Sequence, residues 1–315
     1  MSELGDACVA CRRDGSEAEQ FKASETQEVT GETFGYRLCA GCGSLQIVDV
    51  PDDLSRFYDT ANYSSFNVKN SLVTRPVVQN PASRLALRTL GAFHRRTGKG
   101  LGLRFVRDAG IGSRDSVLDI GSGAGENLIH MRLLGHRDVQ GSDPFLPTDI
   151  DVHGTKIVSR HHSELTGTYD WVVMNHSFEH VPDPHAMLAS AARLMADDGR
   201  ILIRMPIMGM AAWERYGIHW SQIDAPRHLV LYTPEAMEHM ARDAGLVVER
   251  LFFDSWSFQF WGSELAQRGL PHLGASMQQA RRHFTKQQLR DWALESDRLN
   301  AQRRGDAGGY VLRRA

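Results

Sequence analysis

Val117-Leu118-Asp119-Ile120-Gly121-Ser122-Gly123-Ala124-Gly125-Glu126 is the stretch that decides the fold. A short apolar run enters a glycine-rich turn and passes into the helical pattern Glu126–Leu134. The segment therefore reads as a buried strand, a turn whose backbone a ligand can approach, and a helix. The glycine spacing then bears on the ligand. A dinucleotide turn takes G-x-G-x-x-G, but here the third glycine comes one residue early and Glu126 holds the sixth position. A carboxylate there would repel a pyrophosphate bound at the helix N-terminus. The turn argues against a nicotinamide-dependent oxidoreductase and for a ligand without phosphates at that point.

Working outward, Val139–Gly141, Lys156–Val158, Asp170–Met174, Arg200–Arg204, Leu246–Phe253 and Tyr310–Arg313 read as strands. Helices are expected at Pro184–Met195, which ends at the turn Asp197-Asp198-Gly199, and at 234–243. Strands alternating with helices at this spacing imply an α/β fold with a parallel sheet covered on both faces. Upstream, Pro81–Thr97 has amphipathic helical spacing and Leu103–Ala109 forms a second short helix. Two stretches break the rhythm, 206–233 and 255–305, the latter helical over 275–303; such insertions at sheet ends build the substrate side. Their aromatics Trp213, Tyr216, Trp220, Trp256, Phe258, Phe260 and Trp261 are expected to fill a second core rather than an acceptor pocket.

The chain resembles the class I S-adenosylmethionine-dependent methyltransferases on these residues. Asp119, Gly121, Gly123 and Gly125 match that family's D-x-G-x-G-x-G turn, and Gly141-Ser142-Asp143 ends the second strand where the family carries an acid. Tyr169–His176 and Glu179-His180-Val181-Pro182-Asp183-Pro184 continue the likeness, which covers about 115–254. The resemblance implies a Rossmann-like sheet, parallel with an antiparallel last strand, and S-adenosylmethionine as cofactor. It implies that Asp143 accepts hydrogen bonds from both ribose hydroxyls and that Asp119 holds the methionine end. The three glycines and Asn175 complete the cofactor-binding set. The adenine contact is left open, because Arg160-His161-His162-Ser163-Glu164 follows the third strand.

All four cysteines fall in two C-x-x-C pairs, Cys8/Cys11 and Cys39/Cys42, separated by 27 residues. Each pair can aim two sulfurs at one ion, and two such knuckles close the tetrahedron of a structural zinc. Glycines 41 and 43 suit the knuckle. Redox or vestigial pairs are the alternative. Four thiolates leave no open coordination position, so no catalysis is expected at this metal.

Methyl transfer from a sulfonium is an in-line displacement that orientation alone can accelerate by about 7–11 kcal/mol. An oxygen or carbon acceptor also needs a base. The richest context for one is Trp220-Ser-Gln-Ile-Asp224-Ala-Pro226-Arg227-His228-Leu229, which resembles the D-x-P-R-H-L segment of a subset of these methyltransferases that carry an N-terminal zinc module and serve glycan or secondary-metabolite assembly. That likeness points to His228 as base or substrate contact and to Arg227 as an anion contact or the structural partner of Asp224. His176 and His180 are further catalytic candidates at the cofactor end of the fourth strand. Glu179 and His180 also offer two metal-ligand types. The zinc knuckle with Phe57-Tyr58 is similar to sugar C-methyltransferases acting on nucleotide-linked sugars.

Composition fits a globular enzyme: 315 residues, 42% apolar, 23% charged, net charge −2. Charge is uneven. Residues 1–60 hold twelve carboxylates against five Lys/Arg, a balance that opposes a phosphate-tracking surface. Residues 69–107 hold nine Lys/Arg and no carboxylate, suited to a diphosphate or carrier handle or to contact with the acidic segment. The acidic start and the lack of a long apolar run lead to an expected cytoplasmic location with no membrane partner. The expected organisation is a zinc-ribbon-like module (1–60), a helical linker or lid (61–109) and a methyltransferase domain (110–315). The expected activity is methyl transfer to a small molecule, a sugar or a carrier- or nucleotide-linked metabolite, with no nucleic-acid partner. The competing readings are an RNA methyltransferase and an inactive cofactor-binding scaffold.

Overall fold

The computed structural model describes residues 7–14, 18–28, 30–58, 103–152 and 154–315. The helix expected over Pro81–Thr97 and most of the basic block lie outside them. Two sheets organise the chain. The smaller is built from strands β1 (Glu19–Ser24), β2 (Thr33–Leu38) and β3 (Leu45–Ile47). The larger uses β4 (Ser116–Ile120), β5 (Asp138–Ser142), β6 (Ile150–Val152), β7 (Thr155–Val158), β8 (Tyr169–Asn175) and β9 (Met195–Pro206). β10 (Val230–Leu231) returns to the small sheet, and β11 (Leu246–Phe253) and β12 (Ala307–Arg314) close the large one.

The large sheet runs β11-β12-β9-β8-β4-β5-β7-β6. β4 pairs parallel with both β5 and β8, and β12 is antiparallel to β9 and β11. This is a Rossmann-like sheet with a reversed last strand, as the resemblance implies. β4 shows why it is buried on both faces. Val117 packs with Val139, Trp171 and Val311, whereas Leu118 and Ile120 point the other way, toward Val172, Met174 and Ile203. The chain moves from β4 to β5 and β7 on one side, then to β8 and β9 on the other. The switch point between β4 and β8 is where such sheets place their ligand.

Helices α1 (Arg104–Ala109), α2 (Glu126–Leu133), α3 (Pro184–Leu194) and α5 (Pro234–Asp243) follow the sequence pattern closely, whereas α4 (Ala211–Tyr216) lies in the stretch 206–233, for which no helix is expected. Pro184 and Pro234 open their helices behind the caps Asp183 and Thr233, whose side chains accept from Ala186 and Ala236 N–H. Two expectations need correction. The turn at Asp197-Asp198-Gly199 is an excursion within β9, where the pairing shifts between Tyr169 and Trp171. The stretch expected to be helical over 275–303 is broken at Phe284-Thr285 into α7 (Met277–His283) and α8 (Lys286–Ala301), because Thr285 caps the second helix. The same insertion contributes an earlier helix, α6 (Phe258–Gln267), whose apolar face joins Phe284 in a satellite core.

The insertion aromatics mostly fill cores: Trp220, Phe260 and Trp261 are at most 2% exposed, while Trp256 is 43% exposed. β10 pairs antiparallel with β3, so the stretch after β9 completes the N-terminal sheet. Among the described residues no helix is long and apolar enough to cross a membrane.

Candidate active site

The glycine turn leaves β4 at the switch point with Gly121, Gly123 and Gly125 all at positive φ (77°, 55° and 78°). Side chains cannot replace them. A Cβ on Gly121 would lie 2.5 Å from Ser177 Cβ, and one on Gly125 would lie 2.3 Å from Ile157 Cδ1. The Gly121 and Ser122 N–H groups donate to the Ser142 carbonyl at 2.8 and 3.1 Å, which ties the turn to the end of β5.

Two buried carboxylates flank this turn. Asp143, 5% exposed, accepts from Gly123 N–H at 2.9 Å with Oδ2 and from Phe145 N–H at 3.0 Å with Oδ1. Each oxygen keeps acceptor capacity for a ligand hydroxyl. Asp119, 4% exposed, receives the Asn175 backbone N–H, while its Oδ1 has no partner among the described residues. Burial pushes the Asp119 carboxyl up to about 8; the Asn175 bond opposes this and the charge of Asp143 adds to it. Burial also raises Asp143, against its two backbone donors. An orphaned buried carboxylate oxygen beside a turn cleared of side chains fits a ligand that brings its own donors, such as an ammonium and a ribose. Phe145, 81% exposed, stands two residues past Asp143 and was not singled out in the sequence.

Beyond β8 the chain turns sharply at His176 (φ 54°), and Ser177 Oγ donates to the Ile120 carbonyl at 2.7 Å. The segment 176–180 therefore abuts the glycine turn. It carries a wall of imidazoles around Glu179, whose side chain is fully buried. His176 Nδ1 lies 3.2 Å from Glu179 Oε1, and the His176 ring also contacts Arg204. His180 Nδ1 meets the Arg227 carbonyl at 2.8 Å and Tyr58 Oη at 3.0 Å. His228 Nδ1 meets the Gln222 carbonyl at 2.7 Å, and its Nε2 lies 3.8 Å from Glu179 Oε1. The His180 and His228 rings are 4.8 Å apart. The structure thus brings His176, His180 and His228 together around one carboxylate. Burial, with His228 alongside, pushes the His180 imidazole down to about 4, so the ring is neutral near pH 7. Burial opposes ionisation of Glu179, but the His176 bond and the neighbouring rings outweigh it and hold the carboxyl near 2.

Arg227 and Asp224 lie beside this wall and engage each other. Arg227, 3% exposed, places Nε 3.0 Å from Asp224 Oδ2 and Nη2 2.7 Å from Oδ1; Nη2 also reaches Glu25 at 2.9 Å and Nη1 donates to the Phe57 carbonyl at 3.2 Å. Gln27 adds a bond to Asp224 at 3.0 Å. Neither Glu25, Gln27 nor Glu179 as an anchor was anticipated. Partners some 200 residues apart leave no local signal, although Glu179 sits inside a motif already noticed. A cavity of about 320 Å³ adjoins the network, lined among others by Glu25, Gln27, Glu32, Arg56, Phe57 and Arg227.

The four cysteines converge as well. Cys8 and Cys42 sulfurs are 3.7 Å apart, Cys11 and Cys39 are 3.5 Å apart, and all four lie within 4.8 Å of one another. A disulfide needs about 2.05 Å, whereas a tetrahedral zinc with bonds near 2.3 Å spaces its sulfurs about 3.8 Å apart. The donor set and spacing fit zinc. A Cβ on Gly41 would strike the Arg13 side chain at 2.4 Å, and Gly43 is left-handed.

The glycine turn and its two flanking buried acids stand at the switch point of this sheet. Residues 88–251, more than half of the chain, match a family described as methyltransferase domain, and the chain belongs to that family. No curated protein matches it. Among solved structures it is similar to an O-methyltransferase of a trans-AT PKS multienzyme of Brevibacillus brevis bound to S-adenosyl-L-homocysteine, at 17% identity, covering 74% of this chain and 79% of that one with a TM-score of 0.42. It is also similar to coclaurine N-methyltransferase at 13% identity, with 84% and 80% covered and a TM-score of 0.43. A third similar structure is the cyclopropane synthase MmaA2 of Mycobacterium tuberculosis, at 17% identity, with 64% and 79% covered and a TM-score of 0.38.

Proposed function

We propose that this enzyme transfers the methyl group of S-adenosylmethionine to a small hydroxyl-rich acceptor, a sugar or a carrier- or nucleotide-linked metabolite. The carrying observation is the abutment of the two halves. Asn175 N–H holds Asp119 on the donor side, and the next residues, His176 to His180, form the imidazole wall. In this reading Asp143 takes the ribose hydroxyls, Asp119 takes the methionine ammonium, and Gly121, Gly123, Gly125 and Asn175 shape the rest of the donor site. The acceptor docks against His228, His180 and His176, which activate it.

The polar cavity beside Arg227 supports a hydroxyl-rich acceptor, because its carboxylates and Arg56 offer hydrogen bonds and Phe57 offers an aromatic face. Arg227 and Asp224 act on the acceptor by holding the loop that carries His228. The acidic N-terminal 60 residues speak against RNA. Cys8, Cys11, Cys39 and Cys42 hold a structural zinc that makes residues 1–60 a scaffold for the acceptor loop, with 61–109 as linker and 110–315 as the transferase domain.

The test is a panel of free sugars, nucleotide sugars, carrier-linked thioesters and total RNA, each incubated with labelled S-adenosylmethionine. Label in a sugar or carrier-linked product supports the proposal. Label confined to RNA, or no label transfer by folded protein that binds S-adenosylhomocysteine, overturns it.

A further inference from the structure

We propose that Glu179, His180 and His228 form a second metal site, separate from the four cysteines, that takes a divalent borderline cation such as Zn2+ or Co2+. It deepens the reading above, in which this cluster activates the acceptor, by making two of its imidazoles ligands rather than free bases.

The tautomers come first. A backbone carbonyl can only accept, so the contacts of His180 Nδ1 with the Arg227 carbonyl and His228 Nδ1 with the Gln222 carbonyl place a hydrogen on each Nδ1. Each Nε2 is then a bare lone pair. Carbonyl-oriented imidazoles are the usual outer support of metal-bound histidine, since that bond fixes both ring angle and tautomer.

The third donor is the Glu179 carboxylate. Its side chain is fully buried; one oxygen faces His176 and the other, Oε2, has no hydrogen-bond partner among the described residues. Leaving a buried carboxylate oxygen unsatisfied is expensive. Glu179, His180 and His228 can each offer one ligand atom, a ring nitrogen or a carboxylate oxygen, within 4.8 Å of one another, and His228 Nε2 stands 3.8 Å from Glu179 Oε1. Donors on a tetrahedral ion with bonds near 2.1 Å stand about 3.4 Å apart, so binding draws the widest pair inward. Two nitrogens and one carboxylate oxygen are a zinc-type set that leaves a fourth position open for an acceptor oxygen.

Charge gives an independent argument. Among the described residues the buried acids around the cluster are Glu179, Asp224 and Glu25, and Asp224 Oδ2 stands 3.9 Å from His228 Nε2. Against these three stands one buried guanidinium, Arg227, which is engaged with Asp224 and Glu25. Arg204, on the far side of His176, pairs with Asp254. The three carboxylates outnumber the Arg227 guanidinium by two, which is the charge one divalent ion supplies.

The experiment is a Co2+ titration of the full-length, metal-stripped protein, read by metal content and by visible absorption. The expected result is two ions per chain. One shows the intense thiolate-to-cobalt band of a cysteine site, and a weaker second shows only d–d absorption. His228→Ala, and separately His180→Ala at the half-buried ligand, lose the second ion and keep the first. Saturation at one ion per chain, or a second ion that survives both substitutions, overturns the proposal. S-adenosylhomocysteine binding is measured on the same samples. Intact binding with no second ion removes the metal site alone, whereas absent binding removes the methyltransferase reading beneath it.

Discussion

Arg227 Nη2 lies 2.9 Å from Glu25 Oε1 with both side chains almost wholly buried, at 3% and 1% exposure, and the pair joins the N-terminal hairpin to the loop that carries His228. Its neighbours tighten the joint. Tyr36 Oη donates to the His228 carbonyl at 2.9 Å, and Ile47 N–H donates to the Leu229 carbonyl at 2.9 Å. The loop that carries His228 is therefore seated on the small sheet.

Removing the guanidinium strands two buried carboxylates, so Arg227→Met should destabilise the protein by about 3–5 kcal/mol in urea unfolding. Arg227→Lys should recover little, because one ammonium cannot reproduce the fork on Asp224 and the bond to Glu25. A loss below about 1 kcal/mol for Arg227→Met would show that the joint is not structural.

Ligand binding should depend on pH through Asp119. Burial raises its carboxyl from an ordinary 3.8 to about 8, so the free protein holds this proton at pH 6 and 7. An ammonium partner needs the carboxylate. Affinity for S-adenosylhomocysteine should therefore rise from pH 6 to pH 8, by up to about tenfold per pH unit, and level off above. A group whose folded value is raised in this way also costs stability as pH climbs from about 4 to about 8, and ligand should offset that loss. Titration calorimetry at several pH values checks both points. Wild-type affinity that stays flat between pH 6 and 8, matching Asp119→Asn, would refute the assignment.

The cysteine cluster should hold one tightly bound zinc, and stripping it should loosen a part of the fold remote from the metal in sequence. β10 pairs with β3, and Thr233 Oγ1 donates to the Cys42 carbonyl at 2.6 Å. Hydrogen exchange in Leu45–Ile47 and Val230–Leu231 should accelerate together when zinc is removed by a chelator or when Cys39→Ser blocks binding. Unchanged exchange in the metal-free protein would make the zinc irrelevant to the acceptor loop.

Much of this was legible in the sequence, for local reasons. The short apolar run of Val117, Leu118 and Ile120 marks β4 as a buried strand, and the three glycines mark the turn. Pro184 and Pro234 mark helix starts because proline fixes φ where the missing N–H does no harm. What could not be read is contact between distant segments. Nothing in Val230–Leu231 announces pairing with Leu45–Ile47, since two residues carry no periodicity. Glu25 looks like any acid in an acidic module until the fold sets it against Arg227. His176, His180 and His228 were visible as candidates among fourteen histidines. Their convergence on Glu179 is a product of the turn after β8 and the return of the acceptor loop.

The central claim is that the turn after β4 and the acid after β5 bind the methyl donor. Calorimetric titration with S-adenosylhomocysteine, on the wild type and on Asp143→Ala, tests it most directly, with NADH run alongside. Two hydrogen bonds to a carboxylate at about 1.5–3 kcal/mol each predict at least about 100-fold weaker binding in the variant and no binding of NADH. Equal affinity in the two proteins, or binding of NADH at this site, would contradict the account.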